Sequence, residues 1–186
     1  MVVANRSRSE VLDKPDYFEL LGLERSPNLS AELIERSWKE RVSAIHPDRF
    51  AAASEAQKRV AMQWSASINE AYRVIRDPLR RAIYLCELAG HDVNVDVGGG
   101  LSTAFLMQQM QWRESLDDIR SQLDKAALDC MLQEIQKQSS DYAQRIADLI
   151  ESQQWEGAVQ GLREWMFVDK LRDELVAMTR TIGTTD

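Results

Sequence analysis

The chain has 186 residues, of which 44% are hydrophobic and 28% are charged, a composition typical of a globular protein rather than a disordered or fibrous one. Its formal net charge is -7. General nucleic-acid binding is disfavoured, because neutralising phosphates requires a basic surface. No apolar run approaches the roughly 20 residues that cross a bilayer, and residues 1–14 lack the apolar segment of a secretion signal. We therefore expect a cytoplasmic protein that binds neither nucleic acid nor membrane.

The two cysteines, Cys86 and Cys130, are far apart in sequence and form no Cys-x-x-Cys pair. The sequence therefore predicts neither a disulfide framework nor a zinc knuckle, and no cofactor is expected. We expect both thiols to be buried as small apolar groups. One alternative is a helical enzyme or metal protein in which folding gathers Cys86, Cys130 and His91.

The first part of the chain predicts a loose tail and two helices. Residues 1–15 are charged or small and are typical of a flexible terminus. Residues 16–21 predict a short helix that ends near Gly22. A second helix begins after Ser30 as N-cap and ends before Pro47, because proline disfavours helical backbone in the residue that precedes it. Its apolar residues repeat at helical spacing: Leu33, Ile34, Trp38, Val42 and Ile45.

A third helix is predicted over about 54–75, and it should pack antiparallel to the second helix so that the loop between them projects outward. Its apolar face is expected to consist of Val60, Trp64, Ile68, Ala71, Tyr72 and Ile75. A fourth helix follows Asp77-Pro78 over 79–88, and Gly90 is its expected C-cap.

Three consecutive glycines lie in the stretch 91–102, which we interpret as a linker between two domains. The remaining residues, 103–186, show only helical periodicity, over about 103–120, 124–152 and 155–182. Three amphipathic helices with short connections predict a three-helix bundle. No strand alternation appears anywhere, so the expected fold class is all-α.

The tripeptide His46-Pro47-Asp48 lies where the second helix should end, and its context makes it specific. The motif Asp-Tyr-Phe-Glu-Leu-Leu-Gly-Leu precedes it at 16–23, and Ile-Asn-Glu-Ala-Tyr-Arg-Val-Ile-Arg-Asp-Pro follows it at 68–78. With these flanking motifs, residues 16–90 resemble a J-domain. Proline restrains its own backbone and that of its neighbour, so it can hold a histidine and an aspartate in defined directions at the tip of a helical hairpin.

The J-domain resemblance implies that this loop contacts a DnaK-class chaperone and promotes ATP hydrolysis, helped by basic residues of the preceding helix. The implied chaperone-binding residues are His46, Pro47, Asp48, Arg36, Lys39 and Arg49. This sequence departs from the common pattern at Glu40, where family members often have a base, and at Arg41, where many have leucine. The basic face is weak, which favours a specialised chaperone partner. The alternative is that Asp48 only caps the next helix and His46 is an ordinary loop residue. A catalytic or metal site at this tip is disfavoured, since it has one imidazole and no nucleophile or second histidine.

Beyond the linker, the segment 103–119, Thr-Ala-Phe-Leu-Met-Gln-Gln-Met-Gln-Trp-Arg-Glu-Ser-Leu-Asp-Asp-Ile, resembles the first bundle helix of the HscB-type co-chaperones of iron–sulfur cluster assembly. Residues 166–171, Met-Phe-Val-Asp-Lys-Leu, and 80–85, Arg-Arg-Ala-Ile-Tyr-Leu, also match that family. The resemblance implies an L-shaped molecule whose bundle binds the cluster scaffold protein. The implied scaffold-binding residues are Leu106, Met107, Met110, Gln111, Glu114, Asp118 and Phe167.

Residues 106, 107, 110, 114 and 118 lie near one face of a helix, and an apolar centre with an acidic rim is typical of a partner surface. The alternative is that Leu106 and Met110 belong to the bundle core, for which Phe105 and Leu116 are better candidates. Gln111 and Asp118 replace a carboxylate and a longer acid of the family pattern.

Taken together, the sequence predicts a non-enzymatic adaptor that presents an iron–sulfur scaffold protein to a specialised DnaK-class (HscA-type) chaperone and stimulates its ATPase. A J-domain protein that serves another client through the same bundle is the alternative. Because no cysteine precedes residue 16 and no transit peptide is evident, a bacterial cytoplasmic member is expected.

Overall fold

The structure, a computed structural model, describes residues 15–45, 54–93 and 101–182. All the regular structure within these ranges is helical, which confirms the all-α class. The helices are α1 (Tyr17–Leu21), α2 (Ala31–Ala44), α3 (Glu55–Arg76), α4 (Pro78–Leu88), α5 (Thr103–Gln122), α6 (Lys125–Glu151) and α7 (Trp155–Ile182). The chain divides into two compact units between Arg81 and Ala82. The tail over 1–14 and most of the expected linker, 94–100, lie outside the described residues.

Helix α1 is short, and its two ends are closed by local contacts. The Asp16 carboxylate accepts hydrogen bonds from the backbone N–H groups of Phe18 (2.8 Å) and Glu19 (2.9 Å), which a helix start otherwise leaves unpaired. Arg25 Nε donates to the same carboxylate at 2.7 Å. Gly22 ends the helix in the left-handed region, at φ 69°, as the sequence predicts. These caps hold Phe18 in the core of the first unit, where it is fully buried.

Helices α2 and α3 form the expected antiparallel hairpin. The Trp38 ring stacks on Tyr72 with ring centroids 4.6 Å apart, and its Nε1 donates to Asn69 Oδ1 at 3.0 Å. The pKa of Glu35, one turn before Trp38, is lowered mainly by Lys39 and further by the charge of Arg76, which lies one turn after Tyr72. Residue numbers that rise along α2 therefore pair with numbers that fall along α3.

The apolar face of α3 is buried over a shorter length than the sequence predicts. Ile68, Ala71 and Ile75 are at most 3% exposed, as expected, but Val60 is 51% exposed and Trp64 45%. At about 100° per residue, Trp64 points in a direction between those of the buried Ala71 and Ile75, so its exposure follows from its position near the start of α3 and not from the direction in which it points. Helical periodicity identified the stripe correctly but not the length over which it is buried.

Arg81 connects two parts of the first unit from the inside. Its side chain is almost wholly buried, and Nε donates to the Pro27 carbonyl at 3.0 Å while Nη1 donates to the Ile75 carbonyl at 2.6 Å. Burial lowers the pKa of Arg81, and Asp77 opposes this shift, but a guanidinium remains charged in proteins. Arg81 thus donates hydrogen bonds to one carbonyl in the segment between α1 and α2 and to another in the last turn of α3.

The second unit contains the three long helices that the sequence predicts as a bundle. α6 and α7 run antiparallel, because Ser139 accepts a hydrogen bond from Trp165 Nε1 at 2.8 Å while Tyr142, further along α6, donates to Glu164, earlier in α7, at 3.1 Å. The core of the three helices is apolar throughout: Phe105, Trp112, Leu116, Ile119, Leu128, Met131, Ile135, Ile146, Ile150, Leu162, Trp165, Val168, Leu171 and Leu175. The assignment of Phe105 and Leu116 to the core is confirmed.

The two thiols differ, and the expectation that both are buried is wrong for Cys130, which is exposed. Cys130 lies on α6 beside the buried positions Leu128 and Met131 but points away from the stripe that they form, since adjacent helical residues differ by about 100° in direction. Cys86 is buried, and burial raises its pKa to about 11.

Among the residues that the structure describes, no three or more His, Cys, Asp and Glu side chains gather where they could hold a metal ion. Among the helices of those same ranges, none is both long and apolar enough to cross a membrane.

Replacing Arg81 by methionine should lower the free energy of unfolding by about 2–4 kcal/mol, since it leaves two carbonyls without their charged donor. Urea denaturation followed by circular dichroism would measure this loss. Arg80→Met is the matched control, because Arg80 is exposed and should change stability by less than about 0.5 kcal/mol. Equal effects of the two substitutions would contradict the structural role of Arg81.

The native protein should react with one equivalent of a thiol reagent such as DTNB near pH 8. Cys130 is accessible, whereas Cys86 is buried and has almost no thiolate at a pKa of about 11. Cys130→Ala should abolish the fast reaction and Cys86→Ala should preserve it. Two fast equivalents in the folded protein would show that Cys86 is accessible.

Candidate functional site

The first candidate surface belongs to the J-domain hairpin. Its loop residues His46, Pro47, Asp48 and Arg49 lie outside the described residues, so their role stays a prediction. The helix that leads to them is well defined: Ser30 caps α2 by accepting from Leu33 N at 3.2 Å. α2 ends at Ala44, two residues before His46, as the proline predicts.

Arg36 and Lys39 are both exposed on α2. Lys39 Nζ lies 2.7 Å from Glu35 Oε1, and this hydrogen bond, with the attraction between the two charges, raises the pKa of Lys39 and lowers that of Glu35. Both ionised forms are thereby favoured, but the pair is nearly neutral at a distance. Together with the exposed Glu40, it leaves a weak basic face, in line with the departures noted in the sequence.

The orientation of this face depends on side chains that the sequence analysis did not single out as functional. Trp38, half-buried and next to Lys39 in sequence, is fixed by its stack on Tyr72 and its hydrogen bond to Asn69. Arg76 lies over the other part of the same network, with its guanidinium carbon 5.6 Å from the centre of the Tyr72 ring. The motif at 68–78 supplies Asn69, Tyr72 and Arg76 of this network. It therefore supports the exposed face of α2 and also provides core positions.

The second candidate surface is the outer face of α5. Leu106 is 46% exposed, Met107 56% and Met110 64%, so the alternative that Leu106 and Met110 belong to the bundle core is excluded. Gln111, Glu114 and Asp118 are also exposed. We call the six residues the α5 face. Large apolar side chains that are exposed to solvent at adjacent turns are unusual for a helix with a well-packed opposite side. They are typical of an interaction surface.

Phe167 has a different environment from the α5 face. It is half-buried on α7, with its ring 5.9 Å from that of Phe105 and 6.2 Å from that of Trp112, and the two contacted rings are themselves 6.0 Å apart. These edge and stacked geometries are the ones that aromatic pairs prefer. Phe167 therefore joins α7 to α5 and reaches the surface beside the α5 face. Met166, 39% exposed and adjacent in sequence, is a further apolar residue at the surface that the sequence analysis missed.

Two known protein families match the chain, one in each part. A family model described as the DnaJ domain matches residues 16–84. A second, described as the HSCB C-terminal oligomerisation domain, matches residues 101–176. A J-domain hairpin joined in sequence to a three-helix unit with an exposed apolar helix face defines the class: a J-domain co-chaperone with a separate C-terminal domain.

Individual relatives agree with this class. The co-chaperone protein HscB homolog of Bordetella avium is 45% identical over 88% of this chain and 96% of its own length. That of Burkholderia multivorans is 37% identical over 92% and 98%. Among solved structures, chaperone HscB from Vibrio cholerae matches with a TM-score of 0.78 and 31% identity over 90% of this chain and 99% of its own. Human co-chaperone HscB shares the fold, with a TM-score of 0.82 at 20% identity over 90% and 83%.

The chain belongs to the HscB family of J-domain co-chaperones. This membership supports a co-chaperone role in iron–sulfur cluster assembly and implies a DnaK-class chaperone as a partner.

Proposed function

We propose that the protein is an adaptor that binds the iron–sulfur cluster scaffold protein through its bundle, delivers it to a specialised DnaK-class (HscA-type) chaperone and stimulates the ATPase of that chaperone. It acts in the cytoplasm and catalyses no reaction itself. The observation that carries the client half of this proposal is the exposure of Leu106, Met107 and Met110 at adjacent turns of α5.

The α5 face has the composition of a specific interface. The side chains at its centre, Leu106, Met107 and Met110, are apolar. The two methionines are unbranched and can adapt to the shape of a partner. Glu114 and Asp118 lie one and two turns beyond Met110 and supply an acidic rim. Apolar anchors of this kind provide most of the binding free energy, whereas rim charges provide orientation and association rate.

The chaperone half of the proposal depends on His46, Pro47 and Asp48, with Arg36, Lys39 and Arg49 as electrostatic support. Family membership supports this assignment, and the exposed positions of Arg36 and Lys39 on α2 are compatible with it. Because Glu35 offsets Lys39, most of the recognition is assigned to the loop.

Replacing Met110 by alanine should raise the dissociation constant for the scaffold protein about tenfold, and replacing Leu106 and Met107 as well should raise it further, since each removes an exposed apolar anchor. Isothermal titration calorimetry would measure the change. Phe167→Ala should also weaken binding, but it removes ring contacts to Phe105 and Trp112, so its thermal stability must be measured beside it.

Leu123→Ala is the matched control for these substitutions. Leu123 is 57% exposed at the C-cap of the same helix, 17 residues and therefore about 25 Å beyond Leu106. Its replacement should leave scaffold affinity unchanged. If the α5-face variants bind as well as the unaltered protein, the bundle serves another client.

Replacing His46 by glutamine should reduce ATP hydrolysis to the unstimulated rate of the chaperone while the helical content and scaffold binding remain. Glutamine keeps polarity and approximate size but not the imidazole ring. Steady-state ATPase assays with the specialised chaperone would test this, with the scaffold protein added and omitted.

The second histidine of the chain provides a control for the assay. His91 and Trp155 both belong to the second unit, where their rings stack with centroids 5.7 Å apart. The variant His91→Gln should therefore stimulate hydrolysis like the unaltered protein. Stimulation that persists in His46→Gln would remove the loop from the mechanism.

A further inference from the structure

A groove of about 410 Å³ runs between α5 and α7, beside the α5 face. Trp112 and Phe167 form its apolar base, and Gln109, Arg113 and Lys170 are among its other lining residues. Arg113 lies two turns beyond Leu106 on the same side of α5, and Lys170 lies about one turn beyond Phe167 on α7. The groove therefore continues the proposed scaffold-binding surface towards α7.

Two hydrogen-bond donors next to this groove have no acceptor in the part of the chain that the structure describes. Trp112 is 4% exposed, and its Nε1 is buried without a hydrogen-bond partner among the described residues; the same is true of Gln109 Nε2. An unsatisfied buried donor costs free energy, so such groups are usually paired in the functional state. The terminal torsion of glutamine is soft, so the Gln109 amide can turn towards an acceptor placed in the groove.

The charges of the groove are unevenly compensated. Arg120 is neutralised, because its guanidinium lies 2.9 Å from Glu174 Oε1 and 3.7 Å from Asp117 Oδ1. Arg113 and Lys170 are exposed and form no ion pair with any residue that the structure describes. Two cations without an ion pair on an otherwise acidic unit, next to two donors without an acceptor among the described residues, favour a ligand with negatively charged acceptor groups.

We propose that this basic groove, formed by Gln109, Trp112, Arg113, Phe167 and Lys170, binds an acidic segment of the same scaffold protein. The inference rests on the proposed function and adds a second contact to it. Arg113 and Lys170 pair with carboxylates of that segment, and Gln109 donates a hydrogen bond to one of them.

The basic groove and the acidic rim give the client surface a direction. Arg113 and Asp118 are about 140° apart around α5, with the apolar residues between them on the outer face. A partner that docks on Met110 meets Arg113 and Lys170 on the α7 side, where Asp117 and Glu174 are paired with Arg120, and acids on the opposite side. Charges of opposite sign at the two edges of an apolar centre select one orientation of the partner, because the reversed orientation brings like charges together.

The test is calorimetric titration of the full-length protein with the cluster-free scaffold protein. The double variant Arg113→Glu/Lys170→Glu should raise the dissociation constant at least about tenfold, since attraction becomes repulsion. The loss should shrink at about 0.3 M salt, where exposed charges are screened. Arg113→Lys/Lys170→Arg should bind almost normally. The matched control is Lys125→Glu/Lys137→Glu, which makes the same change of net charge at exposed positions of α6 away from the groove.

The outcomes separate the two proposals. Weaker binding by the groove variant but not by the α6 control, with recovery when an acidic residue of the scaffold is changed to lysine, supports the basic groove. If Met110→Ala weakens binding while the groove variant binds normally, the basic groove is overturned and the α5 face stands. Equal losses in the groove variant and the α6 control also overturn it, because only net charge then matters. If the unaltered protein does not bind the scaffold, the proposed function fails and the groove proposal fails with it.

Discussion

The contact of Phe105, Trp112 and Phe167 decides which face of α5 reaches solvent. Phe105 and Trp112 are seven residues apart, two helical turns, and both turn inward onto the single ring of Phe167. With that side of the helix fixed, Met107 and Met110 must point outward. Burying the methionines instead would expose two large rings, so the apolar surface offered to a partner follows from the packing of the core.

In the first unit, polar contacts fix the position of α2 along α3, which apolar packing alone would leave variable. The Trp38 indole donates to Asn69 and stacks on Tyr72, so the position of α2 along α3 is specified by direction as well as by burial. Arg81 adds hydrogen bonds to the carbonyls of Pro27 and Ile75 from within the unit. A hairpin held in this way can present a loop to another protein in a defined direction, which suits a co-chaperone.

Charge has different uses in the two units. On α2, Glu35 offsets Lys39, so this pair contributes little long-range attraction for a partner. On the bundle, Glu114 and Asp118 rim one edge of the apolar face, while Arg113 and Lys170 line the opposite groove. Such patterns add little affinity in water, but they discriminate between orientations and between partners.

The sequence by itself determined the helices and their caps, because helical periodicity, Ser30 and Gly22 as caps, and Pro47 as a stop act through local backbone chemistry. It also indicated the family, through the motifs that flank His46-Pro47-Asp48 and through the segment 103–119. It also favoured Phe105 over Leu106 as a core residue. Only the tertiary structure decided that Leu106 and Met110 are exposed, that Cys130 is too, and that the apolar face of α3 is not buried at Val60 and Trp64. It alone brought Arg113 and Lys170 to one groove. Periodicity shows which residues share a helix face, whereas the length over which that face is buried and the neighbours across a groove depend on how closely other helices approach.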